Sequence, residues 1–84
     1  MRYTVLWTPA AEQDLARIWT DAEDRAAIAS AADTIDVLLR DDPHLRGESR
    51  SGQLRILFVP PLGVDFEVLH EDRNVRTLTV WKVT

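Results

Sequence analysis

The sequence has 84 residues, 45% of them hydrophobic and 29% charged, with 14 acidic and 10 basic side chains and a formal charge of −4. That length restricts it to one small domain, burying only about 60% of the surface of its unfolded form, and three Gly and four Pro exclude a low-complexity chain. The lack of cysteine excludes a disulfide framework and thiolate metal sites, and no apolar run approaches the ~20 residues of a membrane span.

In chain order, Arg2 to Thr8 sets Tyr3, Val5 and Trp7 against Arg2, Thr4, Leu6 and Thr8, the alternation of a half-buried strand. No apolar signal-peptide core is present in this segment, so a cytoplasmic location is expected. Thr8-Pro9 starts a first helix, since a hydroxyl can cap a free amide and proline at the first helical position loses no hydrogen bond. Its apolar stripe is Ala11, Leu15, Ile18, Trp19 and Ala22, with Glu12, Asp14 and Arg17 outside it. Acidic Asp21 to Asp24 links it to a second helix ending near Arg40. The buried stripe there is Ile28, Ala31, Ala32, Ile35, Leu38 and Leu39, whose alanines allow close helix approach in an antiparallel hairpin.

Asp41-Asp42-Pro43 stops the second helix, and Leu45 to Gly52 reads as a polar loop. Leu54 to Val59 is a β-rich apolar run broken only by Arg55, with Leu54, Ile56 and Phe58 expected to cover the helices and Arg55 to project from the open face. After the turn Pro60-Pro61-Leu62-Gly63, Val64, Phe66 and Val68 alternate with Asp65, Glu67 and Leu69. A second turn, His70 to Asn74, precedes a last strand in which Arg76, Leu78, Val80 and Lys82 alternate with Val75, Thr77, Thr79 and Trp81. The order β-α-α-β-β-β predicts an α+β domain over residues 1–84, an antiparallel sheet meander with a helical hairpin packed on one face.

Charge is unevenly placed: residues 9–42 carry nine acids and three bases, whereas residues 43–84 carry five acids and six bases. No glycine-rich phosphate loop is present, and no cofactor or metal is expected. His44 and His70 lie in predicted loops as solvated residues or proton-transfer groups. Asp65 and Glu67 share one strand face, as solvated side chains or as paired carboxylates. Arg55, with Arg50 in the adjoining loop and Arg76 on the last strand, is suited to phosphate or carboxylate. Alternatively, Arg55 forms a cross-strand pair with Glu67 or Asp65. The open face carrying Arg55, Arg76, Asp65, Glu67 and Trp81 is the candidate partner-binding surface, and Trp7, Trp19 and Trp81 are candidates for the core.

The succession Tyr3-x-Val5-x-Trp7, Asp14-Leu15-x-x-Ile18, Ile35-x-x-Leu38-Leu39-x-x-x-Pro43, Gly47, Arg55-Ile56-Leu57-Phe58-Val59 and Val75-x-x-Leu78-x-Val80 resembles the RelE/ParE superfamily of small bacterial toxins. The resemblance implies the toxin of a type II toxin–antitoxin module, with roles in growth inhibition and plasmid stabilisation and with an antitoxin as partner. ParE-like members act on DNA gyrase, and RelE-like members cleave mRNA on the ribosome, with Arg55 at the position of their phosphate-binding arginine and Arg50 near it. The catalytic groups that RelE-like enzymes carry after the last strand have no counterpart up to Trp81-Lys82-Val83-Thr84. Three readings follow: a toxin that binds a host target, a ribosome-dependent endoribonuclease using Arg55, and a non-toxic binding module.

Overall fold

A computed structural model describes residues 2–83. Strand β1 (Thr4–Trp7) is followed by helices α1 (Pro9–Asp21) and α2 (Arg25–Arg40), a 3-10 turn (Pro43–Leu45) and strands β2 (Glu48–Ser51), β3 (Leu54–Val59), β4 (Leu62–Leu69) and β5 (Asn74–Lys82). The helices start where the capping residues place them. Thr8 Oγ1 accepts from the Ala11 amide, and Asp24 Oδ1 accepts from that of Ala27, each satisfying an amide that has no intrahelical partner. Arg25 ties the hairpin together: its guanidinium donates to the Trp19 and Thr20 carbonyls at the end of α1 and lies 5.8 Å from the Trp19 ring centroid.

The sheet has five strands in the order β1-β5-β4-β3-β2. The expected antiparallel meander is present over β2 to β5, whereas β1 joins as a parallel neighbour of β5, Val5 opposite Val75 and Trp7 opposite Thr77. The predicted loop over 45–52 is corrected: it starts at the last residue of the 3-10 turn and contains the edge strand β2. All four β2 residues are exposed and polar, so no apolar alternation marks them, and the strand exists through its pairing with β3. Gly47 (φ +64°) precedes β2, and a Cβ there would run into the Ile56 carbonyl.

The core lies between the helical hairpin and one sheet face. Ala11, Ile28, Ala31, Ile35 and Leu39 meet Leu62, Val64, Phe66 and Val68 of β4 and Val75 and Val80 of β5. Each large side chain buried here contributes roughly 1.5–3 kcal/mol. Tyr3, Val5, Trp7, Leu57 and Val59 pack around this centre.

Two alternations differ from the sequence expectation. On β3 both parities are apolar, so composition leaves the buried face undetermined, and pairing with β4 decides it. Leu57 lies opposite Val64, Val59 opposite Leu62 and Arg55 opposite Phe66. Leu54, Ile56 and Phe58 therefore belong to the open face, where Phe58 is 51% exposed, and Arg55 lies on the helix side. On β5 the register shifts, with Thr77 opposite Phe66 but Thr79 opposite Asp65. This bulge puts Thr77 and Val80 into the core while Arg76 and Trp81 remain on the open side. Of the three tryptophans that were candidates for the core, with Trp81 also a candidate for the partner surface, one packs against it. Trp7 packs against the core and donates to Asp36, Trp19 is 41% exposed, and Trp81 is half-buried on the open face.

Candidate functional site

The open face is built by the side chains that point away from the helices. Along β4 these are Gly63, Asp65, Glu67 and Leu69, flanked by Leu54, Ile56 and Phe58 of β3 and by Arg76, Thr79 and Trp81 of β5. The Trp81 ring lies over Gly63, where a Cβ would approach it to 2.6 Å, and meets Phe58 edge-on with centroids 6.1 Å apart. Arg76 Nη1 donates to Glu67 Oε1 at 3.0 Å. Asp65 and Glu67 thus share a face, but Glu67 is engaged with Arg76. Among the described residues, Asp65 Oδ1 is a buried side-chain atom without a hydrogen-bond partner. The face is consequently apolar at Ile56, Phe58 and Trp81, neutralised at Arg76–Glu67 and acidic at Asp65.

Arg55 is elsewhere. Its Nε donates to the Arg46 carbonyl at 2.8 Å and its Nη2 to the Gly47 carbonyl at 3.1 Å, so the guanidinium clamps the segment leading into β2. Neither Asp65 nor Glu67 pairs with it, and the expected open-face position is overturned by the β3 register. Arg50 pairs with Glu48 on the edge strand, and Arg46 donates to the Leu38 and Asp41 carbonyls at the end of α2. Arg46 thus holds the end of α2, Arg55 the segment before β2 and Arg50 its strand neighbour, rather than all three converging on one anion site. The acidic hairpin is not wholly solvated either, because Asp14 reaches the β5 backbone and Asp36 receives the Trp7 indole.

Beside Arg55 is a grouping that sequence spacing did not reveal. A cavity of about 100 Å³ is lined by His44, Gly52, Gln53, Arg55, Val68 and His70. The two imidazole centroids are 5.6 Å apart, and the Tyr3 hydroxyl is 3.2 Å from His70 Nδ1. The histidines come from turns far apart in sequence, joined only by the turn after α2 and the β4–β5 connection. No local pattern could have paired them. The arrangement has two imidazoles able to move protons, with a cation at the same cavity. Among the described residues no group of three or more His, Cys, Asp or Glu side chains suits a metal ion. A separate groove of about 400 Å³ runs between α1 and α2, lined by Leu15, Ala16, Trp19, Ile28, Ala29 and Ala32 together with Glu12 and Asp33.

No protein-family profile matches the sequence, and no curated protein matches it. Solved structures do. A chain of the toxin–antitoxin complex RelBE2 from Mycobacterium tuberculosis superimposes with a TM-score of 0.80 at 18% identity, over 98% of this chain and 92% of that one. A chain of the chromosomal ParDE toxin–antitoxin system of P. aeruginosa gives 0.72 at 18% identity, over 99% and 98%. An arginine-to-alanine double mutant of the E. coli toxin RelE in the free state gives 0.75 at 13% identity, over 98% and 84%. With the strand order, the helical hairpin and this near full-length correspondence, the chain has the fold of the RelE/ParE toxins.

Proposed function

We propose that the chain is the toxin of a type II toxin–antitoxin module, inhibiting growth by binding a host target and neutralised by an antitoxin protein. The observation that carries this reading is the correspondence, over nearly the whole chain, to components of RelBE2 and ParDE. The open sheet face supports it, because a patch of Ile56, Phe58 and Trp81 beside an acidic side chain is a surface made for a protein partner. Action through binding, with DNA gyrase as one target class, also accords with Arg55. Two of its donor atoms are already occupied by backbone carbonyls.

The cavity at Arg55 favours a second reading, a ribosome-dependent endoribonuclease. His44 and His70 would exchange protons with the attacking 2′-hydroxyl and the leaving 5′-oxygen, and the remaining Arg55 donor would face the phosphate. Purified chain tested in a gyrase supercoiling assay and in cell-free translation separates the two. Inhibited supercoiling with intact messages supports the binding reading. Message cleavage that disappears in His44→Ala and His70→Ala supports the nuclease, and inactivity in both assays supports the non-toxic module.

A further inference from the structure

We propose that His44 and His70 form a two-imidazole site for a divalent metal ion of the zinc class, which would tie the turn after α2 to the β4–β5 connection. The two rings line one cavity of about 100 Å³, with centroids 5.6 Å apart and planes inclined by 60°. A zinc ion about 2.0–2.1 Å from one nitrogen of each ring sets the ring centres about 5–6 Å apart at angles near tetrahedral. The observed separation is that of two ligands on one ion. The cavity exceeds the roughly 30 Å³ that one water molecule takes up, so it has room for the ion. Among the described residues no third His, Cys, Asp or Glu completes the set, and water takes the remaining positions.

His70 already has the outer contact that fixes a metal-binding imidazole. The Tyr3 hydroxyl is 3.2 Å from its Nδ1. With the proton on Nδ1 and donated to that oxygen, Nε2 keeps its lone pair for the metal, and this is the tautomer the site requires. Charge around the cavity is mixed. Arg55 lines it and opposes a cation, but its Nε and Nη2 are directed at the Arg46 and Gly47 carbonyls. The adjoining depression shares Gln53 and His70 with the cavity and is lined by Glu71 and Asp72, which form no ion pair among the described residues. Those carboxylates offset the guanidinium. Imidazole donors suit zinc, copper and nickel, whereas calcium and magnesium require a shell of oxygens that the two rings do not supply.

The test titrates zinc chloride into the purified chain, following the imidazole nitrogens by NMR and the melting temperature in parallel. One equivalent of zinc should shift the resonances of both His44 and His70 and raise the melting temperature, and calcium chloride should do neither. His44→Ala and His70→Ala change exposed residues and should stay folded. Each should bind zinc at least about 10-fold more weakly, and Tyr3→Phe should weaken binding by a smaller factor. Zinc that shifts neither ring or only one, equal affinity in the two histidine variants and the wild type, or an equal response to calcium would overturn the proposal. Unchanged affinity in Tyr3→Phe would overturn the assigned tautomer. Both readouts are taken on the purified chain, so they stand apart from whether it arrests growth.

Discussion

The carboxylate of Asp14 on α1 accepts a hydrogen bond from the backbone amide of Val80 at 3.1 Å. Val80 follows the β5 bulge, where the ladder to β4 shifts register. A helix side chain thus satisfies a strand amide beside the disturbed ladder, and the bulge carries Val80 into the core while Trp81 stays outside. The buried Val80 side chain and the open-face Trp81 thus both adjoin this contact.

Asp14→Ala should therefore destabilise the fold by about 1–3 kcal/mol, the cost of leaving a part-buried amide without its acceptor. Asp14→Asn, which keeps a carbonyl oxygen, should lose less. Chemical denaturation of the two variants measures the difference. Equal, near wild-type stability would show that the contact contributes nothing.

Gly63→Ala should displace the Trp81 ring, since the added Cβ would lie 2.6 Å from it. The expected cost is about 1–3 kcal/mol for forced repacking. A shift in tryptophan emission should accompany a lower melting temperature. An unchanged spectrum and melting curve would contradict the stacking of Trp81 over Gly63.

Arg55→Lys keeps the charge but not the planar fork that reaches both the Arg46 and Gly47 carbonyls. A loss of about 1–2 kcal/mol is expected, together with faster hydrogen exchange in β2. If lysine preserves both, the role of Arg55 is its charge and not the clamp.

The Arg76–Glu67 pair is half exposed, with side-chain accessibilities of 47% and 28%. A double-mutant cycle should give a coupling below about 1 kcal/mol, decreasing as salt is added. A larger, salt-insensitive value would mean that the open face is drier than its exposure implies.

Much of the fold was legible from local chemistry. Thr8-Pro9 and Asp24 mark the helix starts, the Ile28-Ala31-Ile35-Leu39 spacing marks the buried stripe, and Val64-Phe66-Val68 marks the inner face of β4. Information that depends on pairing was not legible. Both faces of Leu54–Val59 are apolar, so only its register with β4 tells that Arg55 faces the helices. The β5 bulge defeats strict alternation, β2 has no apolar residue to announce it, and β1 is parallel to β5 only through the path of the hairpin. For the candidate site, strand parity put Asp65 and Glu67 on one face, whereas strict alternation sets Arg76 and Trp81 on opposite faces and only the β5 bulge brings both to the open side. Tyr3, His44 and His70 meet only through tertiary contact.

If the chain is the toxin proposed above, it arrests growth unless an antitoxin covers it, and colony formation after induced expression is the direct check. The measurement compares the chain alone with the chain co-expressed with the product of the gene adjacent to its own. Colonies should be lost with the chain alone and recovered with the second product, the two proteins co-purifying as a complex. Undiminished colony formation by cells that accumulate the folded chain alone would contradict it.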